Sequence, residues 1–192
     1  LLFSIPLMCS SILQLLFNAA DVVVVGQFSG PNSIAAVGST GSVINLIVSL
    51  FMGLAVGVNV LAARYYAAGQ DRDMSETVHT AAMISIIGGI LITVIGIPIS
   101  RPILLAMGSP AEVIELSTLY MKIYFLGAPS LLIYNLGSAI LRAIGDTRRP
   151  LYYLVISGII NVILNLLFVI VLHLDVAGVA IATIISETFS AV

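Results

Sequence analysis

Long apolar stretches separated by short polar connectors set the architecture. Charged side chains are absent from 1–20, 22–63, 77–100, 123–141 and 151–174. Each stretch is about the twenty residues that a helix needs to cross ~30 Å of hydrocarbon, or longer. The pattern predicts six membrane-spanning helices at about 1–26, 34–63, 77–99, 117–142, 151–172 and 177–192, the last incomplete. Strands of a membrane β-barrel would instead alternate apolar and polar positions over ~10 residues. The fold class expected is therefore an all-α membrane protein, a six-transmembrane-helix bundle. Turn-forming residues punctuate the connectors at 26–33, 69–75, 101–115, 145–150 and 173–176. Within the third connector, Pro110-Ala111-Glu112 opens a helical piece expected to lie at the interface.

Composition strengthens this reading. Only 8% of residues are charged, against roughly 25% in soluble domains. Hydrophobic residues make up 60%, and the mean hydropathy is +1.18. A net charge of -2, no basic block and a single cysteine, Cys9, argue against a nucleic-acid partner and a disulfide framework. Orientation follows from Arg64 and Arg72 after span 2 and Arg142, Arg148 and Arg149 after span 4, five of the seven basic residues. The positive-inside rule makes that side cytoplasmic. Tyr65, Tyr66, Tyr152 and Tyr153 lie beside these arginines, as an interfacial aromatic belt does. The first run is too long for a cleavable signal and reads as a signal anchor. The chain opens without methionine and stops at Val192 inside an apolar segment, so both ends are expected to continue in a longer protein. No internal repeat is visible, which places any duplication beyond Val192.

Against this background the polar residues inside spans stand out. Ser4, Ser11, Gln14, Asn18 and Asp21 fall on one face of span 1. A carboxylate within a span is costly while charged and normally faces a bundle interior or a wet cavity, which makes Asp21 the leading candidate. The alternative is an aspartate satisfied by neighbouring helices, with no transport role. Pro6, in the same helix, removes a backbone donor and is a candidate hinge. Ser157, Asn161 and Asn165 share one face of span 5, where they could serve as interhelical glue or offer oxygens to a cation. Thr183 and Glu187 stand four apart in span 6, Glu187 being balanced between cavity and interface. In span 2, Ser42, Asn45, Ser49, Gly53 and Gly57 form a small-residue face that predicts close helix packing. Tyr120 and Tyr124 in span 4 could line a cavity for aromatic cations, but an interfacial place is the one expected. His79 and His173 form no metal-ligand spacing, no serine stands in a GxSxG setting, and enzyme activity is not expected.

Several motifs carry a family resemblance. The run from Leu141 to Pro150, with Gly145-Asp146-Thr147 and Arg148-Arg149, resembles the connector after the fourth helix of the multidrug and toxic compound extrusion family. Pro6, Gln14 and Asp21 occur in the order of that family's first helix, followed by Val25-Gly26 and Ala35-Ala36-Val37-Gly38. The stretch Gly53-Leu54-Ala55-Val56-Gly57 with Ala62-Ala63-Arg64 resembles the second helix, and Gly178 to Thr183 the start of the sixth. The similarity covers essentially the whole chain.

The resemblance implies one lobe of a twelve-helix, pseudo-symmetric transporter, with a second six-helix lobe beyond Val192. It implies an antiporter that exports amphipathic or cationic small organic compounds across the cytoplasmic membrane of a prokaryote, coupled to protons or sodium ions and needing no cofactor. The coupling-ion pocket would combine Asp21 with Asn161, Asn165 and Thr183, the same four being a possible sodium site. Relatives often carry aspartate where this chain has Asn165, so a sodium site here is expected to be weaker and proton coupling gains weight. Gln14 and Asn18 are expected to exchange hydrogen bonds with Asp21 as span 1 shifts about Pro6. Two rivals remain: a related-fold flippase for lipid-linked saccharides, which would favour cavity-facing arginines, and a non-transporting membrane scaffold.

Overall fold

The computed structural model describes residues 4–191. These form α1 (Ser4–Phe28), α2 (Pro31–Ala67), α3 (Asp71–Ala106), α4 (Ile114–Leu126), α5 (Ala128–Ala143), α6 (Arg148–Leu166) and α7 (Asp175–Ala191), with a π-helical turn, Leu167–Val171, after α6. No strand occurs among the described residues. Helices α1, α2, α3 and α6 with its π-helical turn are each long and apolar enough to cross a membrane. Helices α4 and α5 qualify together as one span bent by 51°. Five of the six expected spans are matched in this way, α7 being only 17 residues long within the described residues, and the long apolar runs expose large side chains such as Leu46, Leu50, Ile87 and Val94 that suit lipid.

The bend in the fourth span has a local cause. Pro129 has no N–H to offer the carbonyl of Phe125, four residues back. That carbonyl instead accepts the hydroxyl of Thr93 from α3 at 2.7 Å. The crease at Gly127 also admits α7, since a Cβ on Gly127 would lie 2.6 Å from Ile184 Cγ1.

The connector at 144–150 shows why its residues are chosen. Gly145 has φ +89°, a left-handed conformation that closes α5. Asp146 Oδ1 then accepts the backbone amides of Arg148 and Arg149 at 3.2 and 3.1 Å, filling donors left open at the start of α6.

Packing divides the lobe. Helix α5 lies against α3 and α2, whereas α6 lies between α1 and α7. Helix α7 joins the two groups by touching α4 and α5 as well as α6. One buried cluster, including Val24, Val25, Ala36, Tyr120, Val169 and Val179, draws on α1, α2, α4, α7 and the π-helical turn. A second gathers Val43, Leu104, Met121 and Phe125, and a third, of Ala55, Ala81, Leu136 and Ala139, lets α2, α3 and α5 approach closely.

Two expectations are corrected. The small face of α2 is not a packing face within this lobe: Ser42, Asn45, Ser49, Gly53 and Gly57 are exposed, and a Cβ on either glycine would meet nothing within 4 Å. Helix α2 buries Ala36, Thr40, Val43, Ala55 and Ala62 instead, a neighbouring stripe. Tyr120 and Tyr124 are not interfacial. Their spacing puts them on the inward side of α4, where Tyr120 is 7% exposed.

Candidate functional site

The site grows out of the seam where α6 receives α1 and α7. Helix α1 approaches α6 at Gly158, where a Cβ would lie 2.0 Å from the ring of Phe17. One turn further along α1, Asp21 comes level with Asn165, and the carboxylate oxygen Oδ1 accepts a hydrogen bond from Asn165 Nδ2. The same amide nitrogen donates to Asn161 Oδ1 at 3.1 Å. Asn161 Nδ2 in turn donates to Thr183 Oγ1 at 3.4 Å, and the Thr183 hydroxyl donates to Val179 O at 3.0 Å. A continuous line thus runs from a carboxylate on α1 through two amides on α6 to a hydroxyl on α7.

Burial makes this line unusual. Asn165 is 0% exposed and Asn161 5%, while Asp21 is half-buried. Asn165 Oδ1 is fully enclosed and accepts no hydrogen bond. A buried amide oxygen without a donor is costly, because it has given up water and gained nothing. A cation or a proton-bearing group beside it would remove that cost. No ion pair neutralises Asp21: the salt bridges among the described residues are Arg72–Glu76, Arg101–Glu115 and Arg149–Asp146, all at helix ends.

Asp21, Asn161, Asn165 and Thr183, expected to share a pocket, are therefore brought together. Gln14 and Asn18 are not. Both are exposed on α1 and neither bonds to Asp21, which finds its partner on α6 instead. The reason is rotational. With Phe17, Val24 and Val25 turned toward the packed helices, Gln14 and Asn18 sit on the edge that α6 and α7 leave uncovered. Pro6 lies in the first described turn of α1. The carbonyl it leaves without a donor, at residue 2, lies outside the described residues, so a hinge there is not visible.

Two groups carry more weight than their sequence positions suggested. Ser157, one turn below Asn161, is buried and extends the polar stripe of α6. Glu187, one turn beyond Thr183, is half-buried on the same face of α7. The four-residue spacing from Thr183 was the available signal for it.

The MatE family profile matches residues 6–167. The probable multidrug resistance protein YoeA of Bacillus subtilis is 31% identical over 189 residues, covering 96% of this chain and 41% of that protein. An FAD transporter of Shewanella oneidensis is 28% identical over 187 residues, covering 95% of this chain and 41% of its own length. Among solved structures, an outward-facing multidrug resistance MATE family transporter matches with a TM-score of 0.92 at 32% identity, over 98% of this chain and 42% of that one. The chain spans less than half the length of the relatives it matches.

Proposed function

The chain belongs to the MatE family, the multidrug and toxic compound extrusion transporters, and from that premise we propose that it is the N-terminal lobe of a cation-coupled exporter. The complete protein would carry amphipathic or cationic organic compounds out across the cytoplasmic membrane of a prokaryote, in exchange for protons or sodium ions. A second six-helix lobe would complete the path.

The observation that carries the reading is the unneutralised Asp21 carboxylate tied to Asn165, whose own amide oxygen is sealed in without a donor. A proton or sodium ion arriving at Asp21 would neutralise it and change its bond to α6. Such an ion can drive exchange only if it binds one conformation of the lobe better than the other. Helix α1 is suited to that role, because it leans on α6 and touches α2 and α7 much less. A sodium ion would draw on Asp21, Asn165 Oδ1, Asn161 and Thr183, oxygens that a hard cation accepts. A proton would need Asp21 alone.

One relative is named an FAD transporter, so membership by itself leaves the charge of the cargo open. Here the seam carries the Asp21 carboxylate, and the salt-bridged arginines stand at helix ends. That distribution favours a cationic cargo over the anionic pyrophosphate of a lipid-linked saccharide.

The test is efflux of a fluorescent organic cation from liposomes carrying the full-length protein, with proton and sodium gradients imposed separately. The wild type should respond to at least one gradient, and Asp21→Asn should respond to neither while inserting normally. Equal efflux by the two proteins would remove Asp21 from the mechanism.

A further inference from the structure

Helix α4 has two sharply different faces. Ile114, Ser117, Thr118, Tyr120, Met121 and Phe125 are buried, whereas Glu115, Leu119, Lys122 and Leu126 are exposed. At 3.6 residues per turn the exposed four fall on one narrow stripe, so Lys122 points away from the side of α4 that carries Tyr120.

Two contacts set how α3 lies beside this stripe. Arg101 reaches Glu115 at 2.8 Å, and Thr93 donates to the Phe125 carbonyl at 2.7 Å. The two helices are thus antiparallel, and Lys122 comes level with Val94 and Ile95, both apolar and exposed. The Thr93 hydroxyl, close to that level, is taken up by the carbonyls of Gly89 and Phe125. Lys122 forms no ion pair among the described residues; Glu115, two turns away, is held by Arg101. Glu112 lies further off, in the turn before α4.

The charge-free run of α3 ends at Ser100, so Arg101 and Glu115 mark the edge of the apolar zone. Lys122, seven residues past Glu115, lies about 10 Å inside that edge at the rise of a helix. An ammonium facing hydrocarbon there is costly until it meets a counter-charge. Side chains of a helix lean towards its N-terminus, and α4 begins on the outer side in the orientation that the basic connectors imply. The flexible four-carbon stem can therefore carry the ammonium up along Leu119 towards the level of Arg101.

We propose that Lys122, beneath the Arg101–Glu115 pair, docks the phosphate of one anionic phospholipid of the outer leaflet. Its acyl chains run down the exposed stripe past Leu119, Leu126 and Val94. The partner is an anion because the protein supplies Lys122 with none, and Arg101, bound to Glu115 through one nitrogen, keeps further N–H groups for the same headgroup. It is a lipid because the ammonium stands amid exposed apolar side chains, which a dissolved anion would have to cross. A zwitterionic headgroup brings its own cation to compete for the phosphate, so an anionic one is preferred. The site rests on the membrane-spanning fold and asks nothing of the cargo.

The sequence contains no tryptophan, so one placed at Leu119 reports on the lipid beside Lys122. The full-length protein, with any tryptophan of the second lobe replaced by phenylalanine, is reconstituted into phosphatidylcholine bilayers. Fluorescence quenching is then titrated with dibrominated phosphatidylglycerol and, separately, dibrominated phosphatidylcholine. Leu119→Trp should select phosphatidylglycerol about fivefold, the effect of one basic side chain near a membrane surface. Adding Lys122→Gln should bring the ratio to one, and adding Lys122→Arg should keep it. Ile87→Trp, exposed on α3 away from the site, should show no preference. No preference at Leu119→Trp, a preference that survives Lys122→Gln, an equal one at Ile87→Trp, or weak quenching by both lipids, as a protein-covered face would give, would each overturn the proposal. Because the readout needs no transport, a failure of the exporter reading leaves the site standing.

Discussion

Buried polar side chains occur on both sides of this lobe, yet they end on different kinds of partner. Among α2, α3, α4 and α5 most close on backbone carbonyls, although Ser39 and Ser117 also bond to each other at 2.9 Å. Ser85 donates to Ala81 O at 2.8 Å, Thr93 to Gly89 O and Phe125 O at 3.0 and 2.7 Å, and Asn59 to Ala139 O at 2.7 Å. Along α1, α6 and α7 a line headed by a carboxylate runs from side chain to side chain before it ends on Val179 O, and one amide oxygen is left over. In a membrane span, then, a polar residue is by itself weak evidence of function. The partner decides. A hydroxyl or amide that donates to a neighbouring carbonyl holds helices together, whereas a carboxylate and an amide oxygen short of donors mark a place where something else belongs.

The contrast can be broken most severely at Asn165. Asn165→Leu deprives Asp21 of its partner, and gradient-driven efflux should fall ~10–100-fold, the scale of losing a group that orients a ligand. Ser85→Ala, equally buried but facing a carbonyl, should leave efflux near wild type in the same liposome assay. Next in size is the approach of α1 to α6. Gly158→Val drives a side chain into Phe17 and should lower stability by about 1–3 kcal/mol in thermal unfolding, with Phe17→Ala restoring part of it. Thr93→Val removes the donor that serves the carbonyl freed by Pro129, and should cost about 1 kcal/mol without altering coupling. Smallest is the exposed pair Arg101–Glu115, 2.8 Å apart, whose loss in Arg101→Ala should cost ~0–1 kcal/mol.

Much of the fold was legible because charge is so expensive in hydrocarbon that its absence outlines the spans. The grouping of Asp21, Asn161, Asn165 and Thr183 could also be anticipated, since helical spacing put polar stripes on three spans and the resemblance joined them. What escaped depended on neighbours. Pro129 was visible, but the crease at Gly127 needed Thr93 on another helix to answer the freed carbonyl and Ile184 to fill the fold. Tyr120 and Tyr124 read as interfacial because a tyrosine has both an apolar body and a polar tip, and only the packing of α7 decides which is used. For Gln14 and Asn18 the periodicity found the right helix and missed the rotation that turns them off the seam. The π-helical turn at Leu167–Val171, directly beyond Asn165, has no sequence mark that we recognise.

Exchange of a cation at Asp21 against cargo can be measured without a gradient. Purified full-length protein in weakly buffered solution would receive saturating tetraphenylphosphonium while a pH dye and a sodium-selective electrode follow ions set free. The wild type should release a proton or a sodium ion as cargo binds, and Asp21→Asn should bind cargo and release neither. Equal release from both proteins would contradict the account.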